Sequence, residues 1–313
     1  MKQYPAHMAD FMDMFPTEDA CLEYLSTVRW PEGYMCLRCG SGAYWKKARG
    51  LYACRACGYE ASVLVGTLFQ DTRKPLRLWF QAMWYVVNRK NGVSALGLQK
   101  ALGLGSYHTA WEWLHKLRRA MVRPGRDRLS GIVEVDETYL GGERSGKSGR
   151  GAEGKSLIFI AAEESEHSET AIGRIRLSAI GNAGGETLAK AVQAAVEPGS
   201  LVRTDGWGSY SFLPSYGYIH VPNFQKDAAT GDTTPLAHRV ASLLKRWWLG
   251  THQGAISPKN LAYYLDEFTF RFNRRTSRSR GKLFYRLIEG ALQSDPVPAK
   301  MLTQHLVARE PTA

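Results

Sequence analysis

The sequence predicts an α+β chain of several domains: a small cysteine-bound module, a helical region, then a mixed α/β core followed by helices. Three observations carry that expectation. Four of the five cysteines fall in two Cys-x-x-Cys pairs in the first 60 residues. Between residues 66 and 121 the apolar residues recur at helical spacing. From Gly131 onward short alternating runs take over, with one helical run among them. At 313 residues the chain is long enough for two or three domains. The expected divisions are 1–65, an N-terminal helix with the cysteine module; 66–124, the helical region; 130–290, the α/β core with its following helices; and 291–313, a tail.

Composition narrows the class. The formal charge is +12 and the sequence pI is about 9.5, which favours a polyanionic partner, nucleic acid first. A hydrophobic content of 44% with 11% aromatics indicates packed cores and excludes a disordered chain. No apolar run approaches the roughly 20 residues of a membrane helix. The N-terminus lacks the apolar centre of a signal peptide. A soluble, cytoplasmic and nucleoid-associated protein is expected, in a compartment where paired cysteines bind metal more often than they form disulfides.

In chain order, residues 8 to 29 read as helix, with Cys21 as a buried structural cysteine. Cys36-Leu-Arg-Cys39-Gly40 and Cys54-Arg-Ala-Cys57-Gly58 follow, fourteen residues apart. Each pair forms a knuckle that its glycine lets turn, and four thiolates complete a tetrahedral Zn²⁺ shell. Alternating stretches around Tyr44 and Tyr52 read as the strands of a zinc ribbon; iron fits the same ligands. Leu76 to Val87 is an apolar helix. Helices at Val93 to Leu102 and Ser106 to Met121, joined by Gly103-Leu-Gly105, carry a helix-turn-helix signature, with a structural helical hairpin as the alternative. In the second, Lys116, Arg118 and Arg119 are candidate phosphate contacts. The proline-containing linker at 122–127 is the expected boundary.

Beyond it, Gly131 to Leu140 reads as a strand with Val133 and Val135 on one face and Glu134 and Asp136 on the other. Two acidic groups on an apolar strand are costly unless they meet a cation. A second short apolar run, Ser200 to Thr204, ends on Asp205. Two strand-end aspartates 69 residues apart suit a two-metal phosphoryl-transfer site holding Mg²⁺. Strands at 157–161 and 171–177 and a helix from Gly185 to Val196 lie between them. Three strands, a helix and a further strand is the order of an RNase H-like core. Gly141 to Ser148 satisfies the P-loop pattern literally, but the glycines after it do not open a helix, so a cationic loop is the better reading. A helix from Leu236 to Leu249 places His238, Ser242 and Lys245 in one stripe and is expected to end at Gly250. The last strong helix, Pro258 to about Asn273, carries Glu267. Seven cations fall between Arg271 and Arg286, interleaved with Phe270, Phe272, Phe284 and Tyr285. Arg271, Arg274 and Arg275 are thus candidates for a nucleic-acid track, with aromatics free to stack on bases.

These motifs together resemble the bacterial insertion-sequence DDE transposases of the zinc-ribbon, ISXO type. The marks are the two cysteine pairs, Val133-Glu-Val-Asp-Glu-Thr-Tyr-Leu-Gly-Gly142, Thr204-Asp-Gly-Trp207, Leu244-Lys-Arg-Trp247, Gly250-Thr-His-Gln-Gly254 and Tyr264 to Arg275. The resemblance spans nearly the whole chain. It implies an RNase H-like catalytic core, two divalent ions (Mg²⁺ or Mn²⁺), and strand cleavage followed by transfer at transposon ends. It assigns Asp136 and Asp205 as the first two catalytic carboxylates. Many such enzymes carry a glutamate seven residues before a lysine on the next helix; here Lys245 matches the lysine and His238 stands in the glutamate's place. His238 and Glu267 are the candidates for the third role, with Glu134 as a possible helper. The expected partners are the terminal inverted repeats and target DNA, with the protein as a homodimer or higher oligomer. The competing expectation is a catalytically inactive, transposase-derived DNA-binding protein.

Overall fold

The computed structural model describes residues 4–122, 125–141, 155–224, 231–254 and 256–303. The P-loop-like stretch after Gly141 lies outside the described residues. In chain order the helices and strands are α1 (Met8–Met14), α2 (Glu18–Arg29), β1 (Tyr44–Lys46), β2 (Leu51–Cys54), β3 (Glu60–Ser62), α3 (Leu76–Asn88), α4 (Ala95–Leu102), α5 (Tyr107–Ala120), β4 (Ile132–Leu140), β5 (Ser156–Ser165), β6 (Ser168–Ile180), α6 (Gly185–Ala195), β7 (Leu201–Asp205), β8 (Ile219–Asn223), α7 (Pro235–His252), α8 (Leu261–Phe272), α9 (Arg280–Gln293) and α10 (Ala299–Thr303). They fall into two compact units. One comprises Met1–Pro124 with Thr276–Val307; the other contains Gly125–Arg275.

In the first unit, Thr17 caps α2 by accepting the Ala20 N–H. The three short antiparallel strands β1, β2 and β3 form the ribbon. Gly103, at φ 62°, turns the chain between α4 and α5, where a side chain would be strained. α9 packs against α2, α3 and α5. Its Phe284 is fully buried, ringed by Phe11, Phe15, Tyr24, Phe80 and Trp84. Contact is so close that a Cβ on Gly290 would lie 1.9 Å from the Ala120 carbonyl oxygen. Residues 276–290, grouped by the sequence with the catalytic domain, therefore pack in the first unit. An apolar helix face announces that it is buried but not which core it joins.

The second unit is built on a five-stranded sheet in the order β6-β5-β4-β7-β8. β5 runs antiparallel to β4 and β6, whereas β7 is parallel to β4 and β8 to β7. Val133 and Val135 join Phe159, Ala161 and Val202 in a core closed by Leu188 and Val192 of α6. The opposite face carries Glu134 and Asp136. There α7 packs on β4 and β5, and α8 on β6. Two elements depart from expectation. β8 is an unpredicted fifth strand; His220 and Pro222 break its apolar pattern, and proline is tolerated there because the strand is at the sheet edge. α7 also runs through Gly250 to His252, ending on Gln253 in the left-handed conformation at φ 51°. A helix-interior glycine costs only about 1 kcal/mol, so the surrounding helix carries it.

Candidate active site and metal centre

The four paired cysteines converge. Their sulfurs lie within 4.8 Å of one another, with Cys36–Cys57 at 3.7 Å and Cys39–Cys54 at 3.6 Å. A tetrahedron with Zn–S bonds of about 2.3 Å needs sulfurs about 3.8 Å apart, so the cluster fits zinc without rearrangement. Each knuckle closes the same way: Gly40 N–H donates to the Cys36 carbonyl and Gly58 N–H to the Cys54 carbonyl, both glycines at positive φ. Burial opposes ionisation of Cys36. The N–H groups of Cys39 and Arg38 and the neighbouring thiols outweigh it and pull the thiol down to about 6. Cys21 is the opposite case, enclosed in α2 and pushed up to about 12 by burial.

The second site begins with strand register. Ile132, Val133 and Glu134 of β4 pair with Leu201, Val202 and Arg203 of β7. The ladder ends at Glu134 and Arg203, and Asp136 and Asp205 each follow two residues later, by strand alternation on the same face as the residue that ends the ladder. Glu137 N–H donates to Asp136 Oδ1 at 2.7 Å, and Trp207 N–H to Asp205 Oδ1 at 3.3 Å. Behind them the hydroxyl of Tyr210, fully buried, donates to Glu137 and joins the segment after Asp205 to the residue after Asp136.

α7 supplies the third component. Glu134, only 3% exposed, accepts the N–H groups of Leu236 (2.6 Å) and Ala237 (3.1 Å) and so pins the N-terminus of α7 to β4. Burial raises its carboxyl above the ordinary range, opposed by those two N–H bonds. Glu134 is thus a helix anchor. Pinned this way, His238 in the first turn of α7 meets Asp136: Nε2 lies 2.9 Å from Oδ2, which also accepts the Thr234 hydroxyl at 3.0 Å. On the other side, His238 Nδ1 lies 2.6 Å from Asp232 Oδ1. The Asp136 hydrogen bond, helped by the charges of both carboxylates and opposed by burial, pushes the imidazole up to about 9. Lys245 is exposed two turns along the same helix face.

Glu267 is elsewhere. It is 1% exposed on α8 and binds Arg271 through two bonds, Nε at 2.8 Å and Nη2 at 2.7 Å. Its helix packs on β6, which β5 separates from β4. Asp232 and Thr234, which the sequence reading missed, orient His238. Their only signal is a helix-start signature, Asp-Thr-Thr-Pro before an apolar helix.

Residues 16–60 match the family model described as a transposase zinc-ribbon domain, and residues 128–273 the one described as an ISXO2-like transposase domain. The chain thus carries a stretch similar to a transposase zinc ribbon and a stretch similar to an ISXO2-like transposase domain. It is 27% identical over 293 residues to a protein in transposable element ISH50 of Halobacterium salinarum, an alignment covering 86% of this chain and 94% of that one.

The cations expected to contact DNA differ in exposure. On α5, Lys116 and Arg119 are half-buried, whereas Arg118 is 1% exposed and enclosed away from any phosphate. Arg271 is committed to Glu267. Arg275 bonds the carbonyls of Gly173, Ile172 and Phe272 and stacks on Phe272, tying the end of α8 to β6. Arg274 lies over Phe270 and bonds its carbonyl. Phe270, Phe272 and Phe284 are all buried, so the interleaved aromatics are core and not platforms for bases. An i, i+4 cation beside a buried ring reads identically in sequence whether it covers a core or a nucleic acid. No helix among the described residues is long and apolar enough to cross a membrane.

Proposed function

We propose that this protein is a transposase that binds the terminal repeats of its element and catalyses metal-dependent cleavage and strand transfer there, using Asp136, Asp205 and His238. What supports the reading is the register of β4 and β7, in which Asp136 and Asp205 each follow the paired Glu134 and Arg203 by two residues, together with the contact of His238 with Asp136. The strand order, with β5 alone reversed beside β4, agrees with an RNase H-like core. Two carboxylates on neighbouring strands suit a hard divalent cation, whose shell water and substrate phosphate would complete. His238 fits a ligand role as well: a metal-binding imidazole ordinarily donates its other N–H to a carboxylate, and Asp232 stands at Nδ1. When bound there, Mg²⁺ or Mn²⁺ lowers the pKa of an attacking water or 3′-hydroxyl and neutralises the leaving oxygen.

The protein's own groups do the rest. Asp136 and Asp205 would hold the cation, and Glu134 keeps α7 against β4. Glu137 and Tyr210 fix the two segments that follow the aspartates. Lys245 meets the phosphate next to the scissile bond. Joining two ends to one target needs two such sites, so the working form is a DNA-bound dimer or higher oligomer.

The test is cleavage and strand transfer on a duplex carrying the element's own end, with Mg²⁺ or Mn²⁺. Asp136→Asn and Asp205→Asn are expected to lose at least about a thousand-fold in rate. His238→Ala is expected to lose as much, and Asp232→Asn about 10–100-fold, as for other residues that orient a ligand. Full activity in Asp136→Asn sinks the assignment. A parent that binds the end without cutting it is instead a transposase-derived DNA-binding protein.

A further inference from the structure

The edge strand β8 pairs in parallel with β7, His220 against Val202 and Asn223 against Asp205. Side chains alternate along it, so His220 stands on the face that Val202 shares with α6, and Asn223 on the face of Asp205. Each reaches out of the strand through one hydrogen bond. On the first face, His220 Nε2 lies 2.9 Å from the hydroxyl of Thr204, which is fully buried. That hydroxyl gives its hydrogen to the Asp205 carbonyl at 2.7 Å, so it accepts from the imidazole N–H. On the second face, Asn223 Nδ2 donates to the Thr233 carbonyl at 2.9 Å. Thr233 stands between Asp232, which bonds His238, and Thr234, which bonds Asp136. Phe224, the next residue, lies over Gly206, so near that a Cβ there would collide with its ring. A glycine leaves the backbone after Asp205 with the widest conformational freedom. The Thr204 hydroxyl on one side and the Phe224 ring on the other restrict it.

We propose that β8 is a positioning strand for the cation site: His220, through Thr204, fixes the backbone that carries Asp205, and Asn223 fixes the stretch that orients His238. Neither residue is itself a ligand. Ligand atoms have to be held to within about 0.5 Å of the geometry an ion needs by contacts behind them. These two hydrogen bonds do so for ligands on two separate segments. The inference rests on the reading of Asp136, Asp205 and His238 above and adds to it what keeps them in place.

The test is the Mn²⁺ affinity of the full, zinc-loaded chain without DNA, followed by loss of the free ion's paramagnetic resonance signal, with melting temperature measured alongside. Asp205→Asn is the reference and is expected to abolish binding at this site. His220→Ala and Asn223→Ala are each expected to weaken Mn²⁺ about ten-fold, the lower end of the range for groups behind metal ligands. Thr204→Val, which keeps the buried volume, should match His220→Ala, and combining those two should add nothing, because both break one chain of bonds. Combining His220→Ala with Asn223→Ala should multiply the losses, as for independent sites. His220→Gln, which returns an N–H donor, should regain most of the affinity. If Thr204→Val and the alanine variants bind Mn²⁺ like the parent, whatever their melting temperatures, β8 is structural only and the inference fails while the reading of the aspartates stands. If the parent binds no Mn²⁺, or Asp205→Asn binds it as tightly, both are overturned.

Discussion

His238 shows how one side chain acquires its chemistry from two carboxylates that are distant in sequence. Asp232 and Asp136 hold both ring nitrogens, so the ring's orientation is set before any substrate arrives. Glu267 contrasts with it. Its carboxylate is enclosed and spent on Arg271. Glu267→Gln is therefore expected to cost about 3–5 kcal/mol in urea denaturation, the range for breaking a buried ion pair. Strand transfer by whatever fraction remains folded should be unimpaired; a rate loss as deep as that of Asp136→Asn, with stability intact, would return Glu267 to the active site. Cys21 gives a pH dependence with a defined sign. Its thiol rises from 9.0 unfolded to about 12 folded because burial disfavours the thiolate. The folded state thus binds the extra proton, and stability falls as pH rises between those values. Cys21→Ala should flatten that part of the alkaline stability curve, whatever it does to stability at neutral pH.

At the scale of elements, α7 is placed by Glu134 and the ribbon by its cysteines. An Ala at position 134 leaves two N–H groups at the start of α7 without their acceptor, at a cost of about 1–3 kcal/mol each way it is satisfied. Glu134→Gln retains an acceptor and sheds a buried charge. We expect Glu134→Ala to be destabilised and slow in strand transfer, and Glu134→Gln to stay close to the parent in both. For the ribbon, thiol alkylation discriminates the two kinds of cysteine. With zinc bound, all five thiols should resist iodoacetamide; after chelation, four should react and Cys21 should not until the chain unfolds. Reaction of Cys21 together with the others would mean that removing the metal opens α2 as well.

Across the whole molecule, the legible features were those with local spacing. Cys-x-x-Cys pairs, the strands that carry Asp136 and Asp205, and most helices follow from periodicity and turn residues alone. What the sequence hid depends on long-range partners. Glu134 read as a helper to Asp136 because the helix it anchors lies a hundred residues on. Arg118 looked like a phosphate contact because a cation's burial is decided by distant elements. The basic run from Arg271 to Arg286 looked like one nucleic-acid track, yet its two halves belong to different units.

That division bears on how the protein is made. Helix α9 supplies Phe284 to the centre of the first unit, but it leaves the ribosome only after the 151 residues from 125 to 275 have been translated. At roughly 5–20 residues per second, the aromatic cluster of α1, α2 and α3 waits about 10–30 s for its last member. A message cut short before codon 276 therefore yields a first unit that lacks Phe284, its aromatic core open to solvent and to proteases.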